Sequence, residues 1–548
     1  MAKHSQVGKP MRHGGQILVD QLEIQGVDRI FCVPGESYLA ALDGLFESKI
    51  ETIVGRQEGG VAMMAEAHGK LTGRPGVAFV TRGPGATNAS AGVHIALQDS
   101  TPMVLFIGQV ATDQRDREAF QEVDYRQMFS PLAKWVAEID RTDRIPEYIS
   151  HAFHIAMSGR PGPVVLALPE DILSAMSDVA DGAPANPARQ TVSQNAVADV
   201  IDRLKAAHNP MVIVGGGGWS ARAAKDLGSF ASALGLPVGT SFRCQDYIDN
   251  RHPNYVGDVG IAPNPELGAL VAKSDCILVL GARLGEMTSG GYELFDIPNP
   301  RQKIIHIHAD PNEIGRVYRP EFGLACQSEE FLIAAIELIE GQVADRPSAP
   351  RAAYERWQQP FQTPGAVKME QVITHASEVL PHDAIITNGA GNYAGWLHRY
   401  YCYKSYRTQL APTSGSMGYG LPAAVAAKLA HPSKEVICFA GDGCFQMTMQ
   451  EFGTAAQYGA KIIVIVVNNG VYGTIRMHQQ RTYPERPSGT TLHNPDFAGL
   501  AQCYGGYGEH VYKTEEFPAA LARARAASTP AIIELHTDPS AVSPRSAG

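Results

Sequence analysis

Short apolar runs recur along the whole chain, each followed by a stretch of helix length. Residues 30–33, 76–81, 103–107, 164–168, 211–214, 276–280, 303–307, 384–387, 435–440 and 461–467 are examples. A strand that is apolar throughout has to bury both faces, so this rhythm predicts parallel sheets covered by crossover helices. Most of the runs end in Gly, Pro, Asp or Asn. Ligands of such sheets sit outside the carboxyl ends of the strands, so chemistry is to be sought just after each run.

Two composition shifts divide the chain. Residues 177–193 are small, polar and Pro-containing, and 341–364 carry several Pro and Ala with little apolar periodicity. Read as linkers, they predict an α/β protein of three doubly wound parallel-sheet domains at 1–180, 190–345 and 360–548. The first and last share a strand–helix rhythm without obvious sequence identity. With 44% hydrophobic and 19% charged residues, the 548-residue chain is neither disordered nor fibrous. A formal net charge of −10 argues against a general nucleic-acid partner, which needs a basic face. None of the eight cysteines forms a CxxC pair, which suits a reducing compartment. Residues 1–15 lack the apolar segment of a signal peptide. The longest purely aliphatic run, 462–467, is far short of the ~20 residues of a membrane span. The expectation is a soluble, cytoplasmic protein with no membrane partner.

One βαβ unit carries the strongest chemical signal. The run 435–440 leads into Gly441-Asp442-Gly443, and 24 residues separate Gly443 from Asn468-Asn469 at the end of the run 461–467. Residues 449–458 between them read as a helix. Mg²⁺ prefers oxygen ligands, usually completed by phosphate oxygens and water. Asp442 and the side-chain oxygen of Asn469 supply two. The glycines let the backbone approach phosphate, and a helix N-terminus offers free N–H groups. Asn468 is expected to shape the loop.

This spacing resembles the thiamine diphosphate motif, and the wider stretch 441–473 is similar to the acetolactate synthase branch of that superfamily. The resemblance runs from about Gly14 to about Asp538, dense in the first and last thirds. It implies a pyrimidine-binding first domain, a Rossmann-like central domain and a diphosphate-binding last domain. It also implies thiamine diphosphate and Mg²⁺ as cofactors, with Asp442, Asn469 and the carbonyl of Val471 on the metal. Arg56-Gln57-Glu58-Gly59-Gly60 resembles the family segment whose Glu, here Glu58, activates the cofactor through N1′ of the aminopyrimidine. That carboxylate is expected in a water-poor pocket. Gln57 stands where the family usually has His, on the substrate side. Met417, in the segment 410–422, resembles the wedge that bends the cofactor, with the carbonyl of Gly415 receiving its 4′-amino group.

Thr81-Arg82-Gly83-Pro84-Gly85-Ala86-Thr87-Asn88 resembles the family's TSGPGATN loop. It places Pro84 at the cofactor, and Asn88 either at the pyrimidine or as a cap of the next helix. The same likeness brings Pro34, Gly35, Cys444 and Tyr472 to the cofactor. Phe120 and Gln121 line the substrate side. Asn392 and Tyr393 replace the family's Gln and His on the diphosphate. His478 stands where the acetolactate synthases have a Trp that favours one acceptor, and 479–494 reads as a lid that orders on binding.

In the central third, the glycines of residues 215–218 make an imperfect dinucleotide fingerprint. Only half of the family's flavin segment persists at 281–290, where Arg283 could meet a diphosphate, so FAD is left open. The implied reaction is decarboxylation of a 2-oxo acid followed by addition to a second carbonyl. The rivals are a plain decarboxylase, a flavin-linked oxidase and a non-catalytic assembly subunit. The resemblance further implies a homodimer or homotetramer with active sites at the subunit interface, and leaves a small regulatory subunit open.

Overall fold

The computed structural model describes residues 11–339, 341–345 and 348–544. They divide into two compact units, Met1–Ala188 and Arg189–Gly548. All ten apolar runs named above are strands, buried because helices cover both faces of each sheet.

The first unit holds one six-stranded parallel sheet. Its order is Glu51–Val54, Arg29–Cys32, Gly76–Val80, Met103–Gln109, Pro163–Pro169, Trp135–Glu138. Counted along the chain, that order is 2-1-3-4-6-5. A two-residue antiparallel pair, Arg12–His13 with Met176–Ser177, closes the unit at its ends.

The second unit holds two six-stranded parallel sheets. The later one runs Gln409–Leu410, Ile385–Asn388, Val436–Gly441, Ile463–Asn468, Ala531–His536, Tyr507–Val511. Its order is again 2-1-3-4-6-5, which explains the shared rhythm of the first and last thirds. The central sheet, from Pro210–Val214 to Phe322–Leu324, has the order 3-2-1-4-5-6 of a dinucleotide-binding sheet. In the 2-1-3-4-6-5 sheets the winding reverses between the first and third strands. There the connections leave to opposite faces and open a crevice at the strand ends.

The segment 341–364 is not wholly a linker. Ser348–Trp357 is a helix, packed on the central sheet through Ala353 and Tyr354. Tyr354 meets Tyr255 edge to face, and the Arg351 guanidinium donates to the carbonyls of Asn250, His252 and Tyr255. An Ala-rich helix docked by one aromatic and one guanidinium has little apolar period to detect. Residues 346 and 347 of that segment, like 1–10 of the polar N-terminus, lie outside the described residues. Among the described residues no helix is long and apolar enough to cross a membrane. No two of the eight cysteines are bonded.

Candidate active site

In the first unit, three residues separate the strand Glu51–Val54 from Glu58, the first residue of the helix Glu58–Thr72. The Gln57 side chain caps that helix, accepting from the N–H groups of Gly59 (2.6 Å) and Gly60 (3.2 Å). Its oxygen is therefore turned to the backbone and not to a substrate. Glu58 is half-buried, and its Oε2 accepts from the Asn88 amide at 2.9 Å. Asn88 does not cap its own helix: the helix is Pro84–Asp99, its N-cap residue is Gly83, and Asn88 lies within it. The capping alternative is thereby removed, and Asn88 is instead a hydrogen-bond partner of Glu58.

The loop before Pro84 is tied down from several sides. Gly83 has φ +59° and donates to the Tyr125 hydroxyl at 2.8 Å. A Cβ on Gly83 would stand 2.8 Å from that of Gln121, itself left-handed at φ +65°. Buried Arg82 donates to the Phe120 carbonyl and pairs with Glu170 and Glu36. These ties hold Phe120, which is 71% exposed, at the surface of the unit. Pro34 and Gly35 follow the strand Arg29–Cys32, and Gly35 opens a 3₁₀ turn close against Thr81. The candidates of this unit thus collect at the crevice between its first and third strands.

In the second unit, Asp442 follows the strand Val436–Gly441, and Asn469 follows the adjacent Ile463–Asn468. Asp442 is 3% exposed. Its Oδ1 accepts from Gly443 N–H (2.9 Å), and its Oδ2 from Gly470 N–H (2.8 Å) and the Asn494 amide (2.7 Å). Burial raises its pKa, and those hydrogen bonds oppose the rise without cancelling it. A buried carboxylate held this way is suited to pairing with a cation. The Asn469 side-chain oxygen accepts from Val471 N–H at 3.1 Å, which fixes the amide. A cavity of about 260 Å³ opens at this point. Asp442, Asn469, Val471, Gly415, Met417, Gly441, Gly443, Cys444 and Tyr472 all line it. The Tyr472 ring fills the place a Cβ on Gly443 would take, at 2.5 Å. Half-buried Met417 packs on the core that contains Tyr393 and Cys444, and Gly415 is exposed at φ +69°.

Carboxylate, amide and backbone carbonyl are hard oxygen donors, the set that suits Mg²⁺ with phosphate. The residues present therefore fit a metal–diphosphate group. Two side chains differ from expectation. The Tyr393 hydroxyl turns inward, accepting from Gly389 N–H (3.0 Å) and donating to Cys444 Sγ (3.5 Å), so only its ring faces the cavity. Asn392 accepts from the Thr474 hydroxyl (2.9 Å) and donates to the Val542 carbonyl (2.8 Å). Both stabilise the loop after Ile385–Asn388.

Three family models match the chain. They are the N-terminal TPP binding domain of thiamine pyrophosphate enzymes at residues 12–128, their central domain at 197–335 and their C-terminal TPP binding domain at 389–535. The acetolactate synthase isozyme 2 large subunit of Escherichia coli K12 is 30% identical, over 93% of this chain and 92% of its own. The acetolactate synthase large subunit of Corynebacterium glutamicum is 32% identical over 93% and 84%. A probable acetolactate synthase large subunit of Methanocaldococcus jannaschii is 30% identical over 97% and 93%. The chain belongs to the acetolactate synthase-like thiamine pyrophosphate enzymes. It is a thiamine diphosphate-dependent enzyme of that type.

For a thiamine pyrophosphate enzyme, the Asn468-Asn469 pair is divided cleanly. Asn469 faces the cavity, whereas Asn468 donates to buried Glu534 (2.7 Å) and accepts from Asn494 (2.8 Å). Asn494 and Glu534 are supports that the sequence did not reveal. One sits in a polar loop and the other inside an apolar strand, and neither has a motif. The segment 479–494 is less free than a lid. It is helical to Thr482 and then tied back through Gln479 to Ser488, Arg476 to Thr490 and Thr491, and Leu492 to Gly470.

A second cavity of about 590 Å³ shares Gly391, Asn392, Gly415 and Thr474 with the first and reaches Phe242, Asp258, His398 and His478. His478 is exposed on the helix Gly473–Thr482, where its Nδ1 meets the Arg481 guanidinium at 2.9 Å. Burial pushes Asp258 up to about 7 and His398 down to about 3. Buried Arg243 donates to the carbonyls of Gly389 and Pro412, fastening the two loops that carry Asn392 and Gly415. It too was missed, since a lone Arg after an apolar run has no signature.

The central glycine run is explained by the chain's own packing. A Cβ on Gly216 (φ +77°) would lie 1.9 Å from the Gly281 carbonyl, and one on Gly218 (φ +78°) 1.9 Å from the Gln327 amide. Arg283 faces Glu313 at 3.5 Å. These contacts account for the glycines without a dinucleotide.

Proposed function

We propose that this enzyme is a carboligase that decarboxylates a 2-oxo acid such as pyruvate and joins the remaining fragment to a second carbonyl compound. The observation that carries the reading is the placement of Asp442, Asn469 and Val471 around the same cavity as Met417 and Gly415. When bound, thiamine diphosphate supplies the electron sink for loss of CO₂. Asp442, Asn469 and the Val471 carbonyl would hold Mg²⁺ on its diphosphate. Met417 would set the bend between its rings, and the Gly415 carbonyl would receive the 4′-amino group. Glu58 would hold the proton at N1′, with Asn88 orienting its carboxylate. The 590 Å³ cavity would receive the acceptor, with His478 at its edge. No step is assigned to a flavin.

Glu58 and Asp442 belong to different compact units, and the reading brings Glu58 of one chain to the Asp442 of another. It therefore requires at least a two-fold dimer. Purified protein given pyruvate, thiamine diphosphate and Mg²⁺ is expected to release one CO₂ for each acetolactate formed from two pyruvates. Acetaldehyde in place of acetolactate would overturn the carboligase reading in favour of a plain decarboxylase.

A further inference from the structure

Two strand ends gather ionisable side chains that the site above does not use. Glu534 and His536 are two residues apart on Ala531–His536 and so share a face of the sheet. On the neighbouring parallel strand, His510 pairs in register with Glu534 and falls on the same face. None of the three lines the 260 Å³ cavity.

His510 Nδ1 and His536 Nε2 lie 3.2 Å apart. Each is also 3.5 Å from a carboxylate oxygen of Glu534, His510 from Oε2 and His536 from Oε1. Ligands at 2.0–2.1 Å around a tetrahedral centre stand about 3.3 Å from one another. The imidazole pair has that spacing, each ring faces a different oxygen of Glu534, and one ligand atom from each of the three residues lies within 4.8 Å of the others, close enough for one ion to draw together an open two-His, one-carboxylate set with solvent for the fourth position. The surroundings have the form such sets need. His510 presents its other ring nitrogen, Nε2, to Asp496 Oδ1 at 3.2 Å. A carboxylate behind a ligating imidazole fixes its orientation and raises its basicity. Glu534 is 1% exposed, and its oxygens accept from Asn468 Nδ2 and from the N–H groups of Phe497 and Ala498. The imidazole side chains are about one-third exposed (33% and 34%), which leaves an entry path.

We propose that His510, Glu534 and His536 form a second metal site, for a divalent transition cation of the Zn²⁺ class. Imidazole nitrogens and one carboxylate suit Zn²⁺, whereas Mg²⁺ prefers an all-oxygen octahedral shell. The site is distinct from the Asp442 centre yet joined to it, because Glu534 holds Asn468, the neighbour of Asn469.

The test uses the full chain with thiamine diphosphate and saturating Mg²⁺, so that the oxygen site is filled before Co²⁺ is added. The expected result is one further Co²⁺ per chain with the intense visible bands of four-coordinate cobalt, displaced by an equivalent of Zn²⁺. His510→Asn and His536→Gln should each abolish the bands. Asp496→Asn, which can still cap the helix Phe497–Cys503, should weaken binding about 10- to 100-fold. Retained cofactor-dependent melting in each variant shows that it is folded. Absence of the bands in the wild type, or bands unchanged in folded His510→Asn and His536→Gln proteins, would overturn the proposal.

Discussion

Glu58→Gln should give a protein that still binds thiamine diphosphate and Mg²⁺ but turns pyruvate over about 10²–10⁴ times more slowly, the usual worth of a positioned acid–base group. That loss corresponds to roughly 3–5 kcal/mol of barrier. Glutamine keeps the shape, the start of the helix Glu58–Thr72 and the contact with Asn88. It removes only the ability to hold a proton at N1′. The loss should therefore fall on kcat, with KM and the melting temperature little changed. Steady-state kinetics beside calorimetric cofactor binding would separate the two. Turnover at the wild-type rate would remove Glu58 from the mechanism.

The second large effect is on binding. Asp442→Asn keeps the size of the side chain and one acceptor oxygen for the N–H groups around it. It removes the one buried charge that a cation would neutralise. Binding at 100 times the Kd stabilises a folded protein by about 2.7 kcal/mol. The rise in melting temperature on adding thiamine diphosphate with Mg²⁺ should therefore be clear in the wild type and lost in Asp442→Asn. The melting point without cofactor should fall somewhat as well, because the new amide nitrogen meets N–H donors that a carboxylate oxygen accepted, so the comparison is between the cofactor-induced shifts and not the absolute melting points. An undiminished cofactor shift would place the metal elsewhere.

Much of this candidate site was legible in the sequence because its proposed residues are tied to strand ends. Asp442 and Asn469 follow strands that are apolar throughout, so their spacing survives as a pattern. Glu58, Gly415 and Met417 were legible through short segments resembling a family. The fold was legible wherever strands are interior. Edge strands such as Trp135–Glu138, Phe322–Leu324 and Tyr507–Val511 are partly exposed and mixed in composition, and carry a weaker signal. What sequence could not give was the fate of polar atoms that fold back on the backbone. Gln57, Asn392 and Tyr393 all looked available to ligands, and each is engaged by neighbouring chain atoms. Arg243, Asn494 and Glu534 act through contacts at sequence separations of 26 to 169 residues, which no local pattern reports.

Glu58 and Asp442 are proposed to serve the same cofactor from two different chains. A hetero-dimer of a Glu58→Gln chain and an Asp442→Asn chain, isolated through two different tags, tests this directly. With sites shared across a two-fold axis, one site receives both defects and the other neither. About half the wild-type turnover is expected from two chains that are each nearly inactive alone. A hetero-dimer no more active than either parent would contradict it.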